Sequence, residues 1–508
     1  MTLTRWFVLL ILIASLPSIV SALIPRARAQ ESLAAPQPSV EERLDRLEQA
    51  LRALEQRLDK VEISTRGREE DSTVAGPVSP SSGMEQRLLA IDRRLESLEK
   101  PPAAPSQENA TPPAPTATVA ASEDGFWIQS ADGRFRFRPR YQLHLDGRLY
   151  APGSGGSPPS TFLLRRSQLI AEGSLTKYFE YKFLADFGQG RVILPDLYVD
   201  ASLGHGFKVR IGKFKGPVGL ERLMSGMNLP LIERGLPTFL APNRDIGFQV
   251  FTEPWDGALS LQVAVLNGAP DGISVDGDDD GHKEFAGRLF LHPFRLAGVK
   301  SLKGLGIGIG GTLGTKEGTE NTTILPSYRS TGQTTFFSYR NDGTVAGTTV
   351  ADGQHFRIMP QAYLYWRNVG LLSEFVLSSQ EVSRGARRAP LGNTAWQLTA
   401  SYVLTGEEAS YDGVVPRRPF DPAQGRWGAL EFVSRYSEVR VDRAAFPWFA
   451  DPHDTARGVR AWALGLNWHL SKNVKLVLNY ERSDFRDAGA ESGLDHEKVF
   501  LERLQLKF

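Results

Sequence analysis

From residue 135 the apolar side chains of this sequence recur at every second position, and that alternation restricts the fold more than any other feature. Phe135, Phe137, Tyr141, Leu143, Leu145 and Leu149 share one face, while Arg136, Arg138, Arg140, Gln142, His144, Asp146 and Arg148 share the other. A period of two is the signature of a strand. A soluble sandwich does not bury a row of four arginines, and a solvated sheet face rarely concentrates one sign of charge. A transmembrane β-barrel resolves both problems, with the apolar face against lipid and the charged face against water inside. The chain also ends on this pattern. Leu504, Leu506 and Phe508 point one way, and Arg503, Gln505 and Lys507 the other. Termini are usually frayed and polar, whereas the last strand of a barrel must pair with its first.

The alternation returns along the chain with turn residues between. Phe179, Tyr181, Phe183 and Phe187 alternate with Glu180, Lys182 and Asp186; Trp396, Leu398, Ala400, Tyr402 and Leu404 alternate with Gln397, Thr399 and Ser401. Many of the apolar rows begin or end in Trp, Tyr or Phe, as interfacial girdles require. Sixteen strands are expected, starting near residues 135, 162, 178, 196, 207, 246, 258, 284, 305, 355, 370, 394, 427, 460, 474 and 499. Short connections (175–178, 204–206, 254–257, 368–370, 471–473) alternate with longer ones. Short turns belong on the periplasmic side of an outer-membrane barrel and long loops outside. A barrel of this size keeps an aqueous channel. The expected fold is therefore an all-β, 16-stranded antiparallel transmembrane barrel, with outer-membrane lipid around it.

The first 124 residues read differently. Arg5, the apolar run Trp6–Leu16 and the small-residue site Ala27-Arg28-Ala29 form a secretory signal over residues 1–29. The run is shorter than the ~20 residues of a spanning helix. Over residues 30–100, Val40, Leu44, Leu47, Leu51, Leu54, Leu58 and Val61 step by four and three, as do Met84, Leu88, Ile91, Leu95 and Leu98. That period of 3.5 predicts a short periplasmic coiled coil, bundling subunits or reaching toward peptidoglycan. Residues 101–124 are a Pro/Ala-rich linker, and the barrel occupies 125–508. The chain has no cysteine, so an exported fold of this length relies on packing or the membrane.

Chemistry in such a barrel resides at whatever narrows the lumen. The insert from Lys215 to Asp245 is rich in Leu, Pro and Met where an external loop should be polar. It is expected to fold inward and bring Lys215, Glu221, Arg222, Glu233, Arg234 and Arg244 into the channel. The arginine ladder Arg136, Arg138, Arg140 and Arg166 would supply weak, repeated anion sites, with Lys182 on the third strand's charged face. Glu172, Glu180 and Asp186 could instead neutralise that ladder across the lumen. Asp276, Asp278 and Asp280 precede Gly281 at calcium-loop spacing, but Gly287 occupies the position where that motif needs a glutamate, so they are weak metal candidates. None of the eight histidines sits in a catalytic motif. No enzyme activity, cofactor or nucleic-acid partner is expected.

The blocks "FLLRRSQLIAEGSLTKYFEYKFLADFG", "VRIGKFKGPVGLERL", "LIERGLPTFLAPNRDIGFQV", "PRRPFDPAQGRWGALEFVSRYSE" and "RLQLKF" resemble the phosphate-selective porin O and P family over roughly Gly125–Phe508. The resemblance implies a sixteen-stranded homotrimeric outer-membrane porin whose third loop folds into the pore. It also implies an anion path of arginine and lysine side chains. By position, Arg165 and Arg166 match the constriction arginines, and Lys213, Lys215 and Arg222 fall where the family places lysines, with Arg210 in the same block. The sequence departs from phosphate-specific members. The loop from Glu317 to Gln354 is mostly Thr, Ser and Gly, and residues 123–508 hold 45 Lys/Arg against 42 Asp/Glu. A preference for small anions is therefore expected rather than phosphate specificity. The alternatives are non-selective diffusion, or a barrel tethering the outer membrane to the cell wall.

Overall fold

The computed structural model of the chain describes residues 117–122, 125–152, 156–489 and 491–508. The expected signal segment and both helical runs lie outside the described residues. Two strands precede the barrel, β1 (Thr118–Ser122) and β2 (Gly125–Gln129). The first half of the barrel is β3 (Arg136–Tyr150), β4 (Thr161–Ser174), β5 (Phe179–Asp186), β6 (Ile193–Gly204), β7 (Phe207–Lys215), β8 (Arg244–Thr252), β9 (Leu259–Leu266), β10 (Glu284–Leu291) and β11 (Leu305–Glu317). After a small hairpin of β12 (Tyr328–Arg329) and β13 (Thr335–Phe337) come β14 (Val350–Trp366), β15 (Val369–Arg384), β16 (Arg387–Val403), β17 (Ala429–Arg440), β18 (Gly458–His469), β19 (Val474–Arg486) and β20 (His496–Lys507). β3 to β11 and β14 to β20 pair antiparallel in succession, and β20 returns to β3. That makes a closed barrel of sixteen strands. Each begins within seven residues of the start expected from the alternation.

Closure explains the apolar C-terminus. Leu504 and Leu506 pair opposite Leu145 and Leu143. Phe508 and Tyr141 then exchange backbone hydrogen bonds of 3.0 and 3.1 Å, with ring centroids 5.6 Å apart. Below that point β3 has lost its partner, and β2 takes over, pairing Ile128 with Phe137. Pro139 sits in the gap between them. Tyr141 points its N–H toward β20, so the N–H that Pro139 lacks would have faced no strand. β1, at the end of the proline tract read as a linker, pairs with β2 along its whole length.

The burial pattern is inside-out. Leucines and aromatics such as Leu145, Phe248, Trp396, Leu466 and Leu478 are exposed on the outer wall, while His144, Asp146, Arg357, Glu374, Arg435 and Arg503 are buried within. Exposed apolar rows around a full cylinder require a hydrocarbon solvent. No helix among the described residues is long and apolar enough to cross a membrane; the strands make the crossing. An aromatic row rings one end of the wall, with Trp396 against Tyr436 and Trp462 against Tyr480, both at 5.4 Å. A second cluster, Phe420 with Trp427 and Trp468 at 5.7 and 5.6 Å, marks the other.

The wall is uneven in height. β5, β9 and β10 have 8 residues each, and β7 and β8 have 9. β14 and β16 have 17. Two connections break the expected rule of short turns at the end where β3 begins and β20 finishes, here the base. Residues 292–304 and 404–428 are long there, while at the opposite rim β15 and β16 join through Gly385 and Ala386 alone.

Candidate pore constriction

The loop between β7 and β8, residues 216–243, does fold into the barrel. It carries one helical turn, α1 (Leu220–Leu223), and a 3-10 turn at Leu236–Phe239. Leu220, Leu231, Leu236 and Leu240 of this loop are fully buried. A loop inside a barrel must have its backbone polar groups satisfied there, and the tall wall does this with side chains. The Glu374 carboxylate accepts the Leu220 N–H at 2.7 Å. Gln397 Nε2 donates to both Glu374 and Glu221, at 2.7 and 3.0 Å. Asn479 Oδ1 accepts the Ile232 N–H at 2.7 Å. Lys475 donates to Leu229 O at 3.1 Å and Gln505 to Met227 O at 2.7 Å. Arg503 donates to Ile232 O at 3.0 Å while its other nitrogens grip Asp146 at 2.6 and 2.7 Å. Much of the polar wall of β15–β20 is thus occupied in holding the loop.

What stays open runs along the low wall, a cavity of about 1500 Å³ lined by β3 to β10 and the loop tip. Thirteen lysines and arginines line it against six aspartates and glutamates. The near-balance of the whole sequence hides this surplus. Some cations are neutralised. Asp196 takes Arg244 at 2.8 Å and Lys182 at 3.3 Å. Arg210 is bidentate on Asp200 at 2.7 and 2.8 Å, 3.8 Å above the Tyr198 ring. Lys213 pairs with Asp276. Glu233 takes Arg148 at 2.7 Å and Arg165 at 3.6 Å.

Three cations at the loop tip have no carboxylate partner among the described residues. Lys215 Nζ and Arg234 Nη2 both donate to Met224 O, at 3.0 and 2.8 Å. Arg166 packs against Gly226 so closely that a Cβ there would lie 1.9 Å from its Nη1. Arg166, Lys215 and Arg234 therefore converge around Met224–Gly226, beside the cavity. Arg288, in the same cavity, bonds among the described residues only to the neutral Gln361, at 3.1 and 3.3 Å, and lies 4.3 Å over Phe290.

Neighbouring residues on a regular strand point to opposite faces, yet Arg165 and Arg166 both line the cavity. The register explains it. His144 opposes Arg166 and Leu145 opposes Leu164, leaving Arg165 as the extra residue of a β-bulge, which re-aims it inward. Of the other residues expected at the site, Arg140, Lys182, Arg210, Lys213, Lys215, Arg234 and Arg244 also reach the cavity. Arg136 lies exposed at the base beside Gln129, at 3.1 Å. Arg138 and Arg140 both face Glu172, at 3.7 and 3.1 Å, so this carboxylate screens the lower ladder. Arg222 staples the loop internally through Thr238 O and Ala241 O. In the acidic loop the three aspartates do not converge on one point as a ligand set. Asp276 and Asp278 are taken by Lys213 and Lys283, and no metal-binding cluster occurs among the described residues.

One contributor was not expected. The connection 404–428 enters the lumen from the base. Tyr411 donates from its hydroxyl to Leu220 O at 2.7 Å and stacks on Tyr363 at 5.1 Å, so the constriction loop is held from both ends. The lane beside it is cleared by Gly308 of β11, where a Cβ would lie 2.4 Å from the Phe290 ring.

A closed barrel with an apolar exterior, a water-accessible cationic cavity and an inward loop defines a porin-type membrane channel. The chain belongs to the phosphate-selective porin O and P family, whose model matches residues 137–508, and its place is the outer membrane. No curated protein matches the sequence. Among solved structures it is similar to the outer membrane channel DcaP of Acinetobacter baumannii, at 9% identity over 74% of this chain and 98% of that one, with a TM-score of 0.47. Salmonella typhi OmpF, in complex with daunomycin, gives 10% identity, 74% and 98% coverage and a TM-score of 0.47. Pseudomonas putida OprB gives 12%, 74% and 95%, and 0.46.

Proposed function

We infer that the channel passes small anions by passive diffusion and prefers them to cations. The observation that carries this reading is the convergence of Arg166, Lys215 and Arg234, without carboxylate partners, on the loop tip that borders the cavity. An anion arriving there exchanges hydration water for guanidinium and ammonium N–H donors. Lys215 and Arg234 share their donors with Met224 O, so the hold is weak and the anion leaves again toward Arg288 or the rim. The loop end of the barrel faces outward and the base faces the periplasm, where residues 30–100 would form their coiled coil after removal of residues 1–29. The working unit is a homotrimer, as the family expectation has it. The test is the reversal potential across a bilayer holding the purified channel in a KCl gradient. A potential of the sign for chloride is expected; one of the sign for potassium rejects the anion assignment.

A further inference from the structure

The open cavity turns aromatic where β10, β11 and β14 meet the connection 404–428. Phe290, His292, Tyr363 and Tyr411 line it there, together with Arg288. Tyr363 is at the centre, its ring centroid 5.3 Å from that of Phe290, 5.8 Å from His292 and 5.1 Å from Tyr411. The bare luminal face of β11 gives these rings their room. A Cβ at Gly306 would lie 2.6 Å from the Phe290 ring and 2.8 Å from the Tyr363 ring.

The polar tips of the rings are already engaged. His292 bridges Gly257 O and the Tyr363 hydroxyl, at 3.0 and 2.7 Å. The Tyr411 hydroxyl donates to Leu220 O at 2.7 Å. What the cluster offers the cavity is therefore mainly carbon. Hydrated inorganic ions gain nothing from such a surface, whereas a solute with an apolar body does.

Arg288 supplies charge beside it. A guanidinium has five N–H donors. Gln361 Oε1 accepts from Nε and Nη2 of Arg288, and the other three donors, along the Nη1–Nη2 edge, make no hydrogen bond to the described residues. That edge presents two parallel N–H groups, the fork that a planar carboxylate accepts.

Acids share this end of the cavity. Glu253, Asp256 and Asp412 line it against Arg288 and Arg295, and none of the three forms an ion pair with Arg288. Glu374 is also on the luminal side, its carboxylate accepting the Leu220 and Glu221 N–H groups. Beyond the guanidinium itself the surroundings are thus more negative than positive. One carboxylate is held at contact with Arg288, and a second is repelled.

The geometry points to an organic-anion subsite at the base end of the channel, for a solute carrying a single carboxylate on an aromatic body. The carboxylate takes the open edge of Arg288, and the ring packs against Tyr363 and its aromatic neighbours. The subsite rests on the anion-preferring reading of the channel and adds which anions it favours.

The test is block of the current through the purified full chain in a planar bilayer, in symmetrical KCl, by benzoate. Acetate, benzamide and terephthalate are the comparisons. Benzoate should block at a concentration about tenfold below that of acetate, which lacks the ring, and of benzamide, which lacks the charge. Terephthalate, with a second carboxylate opposite the first, should be weaker than benzoate. Arg288→Gln should raise the blocking concentration of benzoate about tenfold, and Tyr363→Leu should narrow the gap between benzoate and acetate. Benzoate within about twofold of acetate or benzamide, terephthalate as strong as benzoate, or wild-type behaviour in both variants overturns the subsite. The wild-type series decides the matter even if a variant fails to fold. Absence of the benzoate preference alongside a chloride-sign reversal potential rejects the subsite alone; a potassium-sign potential rejects the reading beneath it.

Discussion

Arg166 is the residue at which the electrostatic account of the channel can be tested most cleanly. It bonds to no carboxylate among the described residues, so replacing it leaves no orphaned acid, and any change in permeation reflects the lost charge rather than a rearranged wall. An anion about 4 Å from one charge gains about 1 kcal/mol at the dielectric constant of water. Arg166→Gln should then lower the ratio of anion to cation permeability about thirtyfold, because the anion loses that attraction and the cation an equal repulsion, and Arg166→Glu should lower it by about the same factor again. Those are lower bounds, since the effective dielectric constant between loop and wall is below that of bulk water. The assay is the reversal potential in a KCl gradient near 0.1 M, repeated near 1 M. There the screening length falls from about 10 Å to about 3 Å and the effect should shrink. A ratio unchanged by Arg166→Glu at low salt would refute the idea that this cluster sets selectivity.

Tyr411→Ala removes both the hydroxyl bond to Leu220 O and the stack on Tyr363. Single-channel recordings should show larger and noisier conductance, and identical traces would mean the basal loop does not brace the constriction. Arg503→Leu strands Asp146 in a buried site and releases Ile232 O; breaking such a pair costs about 3–5 kcal/mol. The temperature at which the folded gel band converts to the unfolded one should fall clearly, and an unchanged temperature would remove the pair from the stabilising set. Asp271, in the loop between β9 and β10, is pushed upward by burial, but Arg357 overcomes this and holds its carboxyl at about 2. Because that value lies below the ordinary carboxylate range, its contribution is present above about pH 4 and is lost as pH falls toward 2. Asp271→Asn should therefore flatten the acid limb of the unfolding profile, and an identical limb in the variant would exclude it.

The barrel was legible because lipid and water on opposite sides of one sheet impose a period of two on every strand. The pairing of the last strand with the first followed from the same logic. The inward loop was legible from its leucines, which an aqueous loop has no reason to carry. Three things were not. The bulge that turns Arg165 inward is a local register slip that strict alternation cannot express. The inward path of residues 404–428 depends on Tyr411 finding Leu220 O and Tyr363, contacts made across the fold. The screening of Arg138 and Arg140 by Glu172 required knowing that β3 and β4 pair in that register; the sequence allowed the neutralisation but not which arginines it would take. Arg288 was within reach, since parity on β10 puts it on the luminal face with Ala286 and Phe290.

The central claim is geometric, and the absence of native cysteine makes it directly measurable. Single cysteines at Tyr181, Lys182, Phe183 and Leu184 of β5 should alternate when the channel is reconstituted in lipid. Lys182→Cys and Leu184→Cys should react with a charged, membrane-impermeant thiol reagent, while Tyr181→Cys and Phe183→Cys should resist it and carry spin labels relaxed by oxygen from the bilayer. Uniform reactivity at all four positions, or the opposite phase, would contradict a cylinder with water inside and hydrocarbon outside.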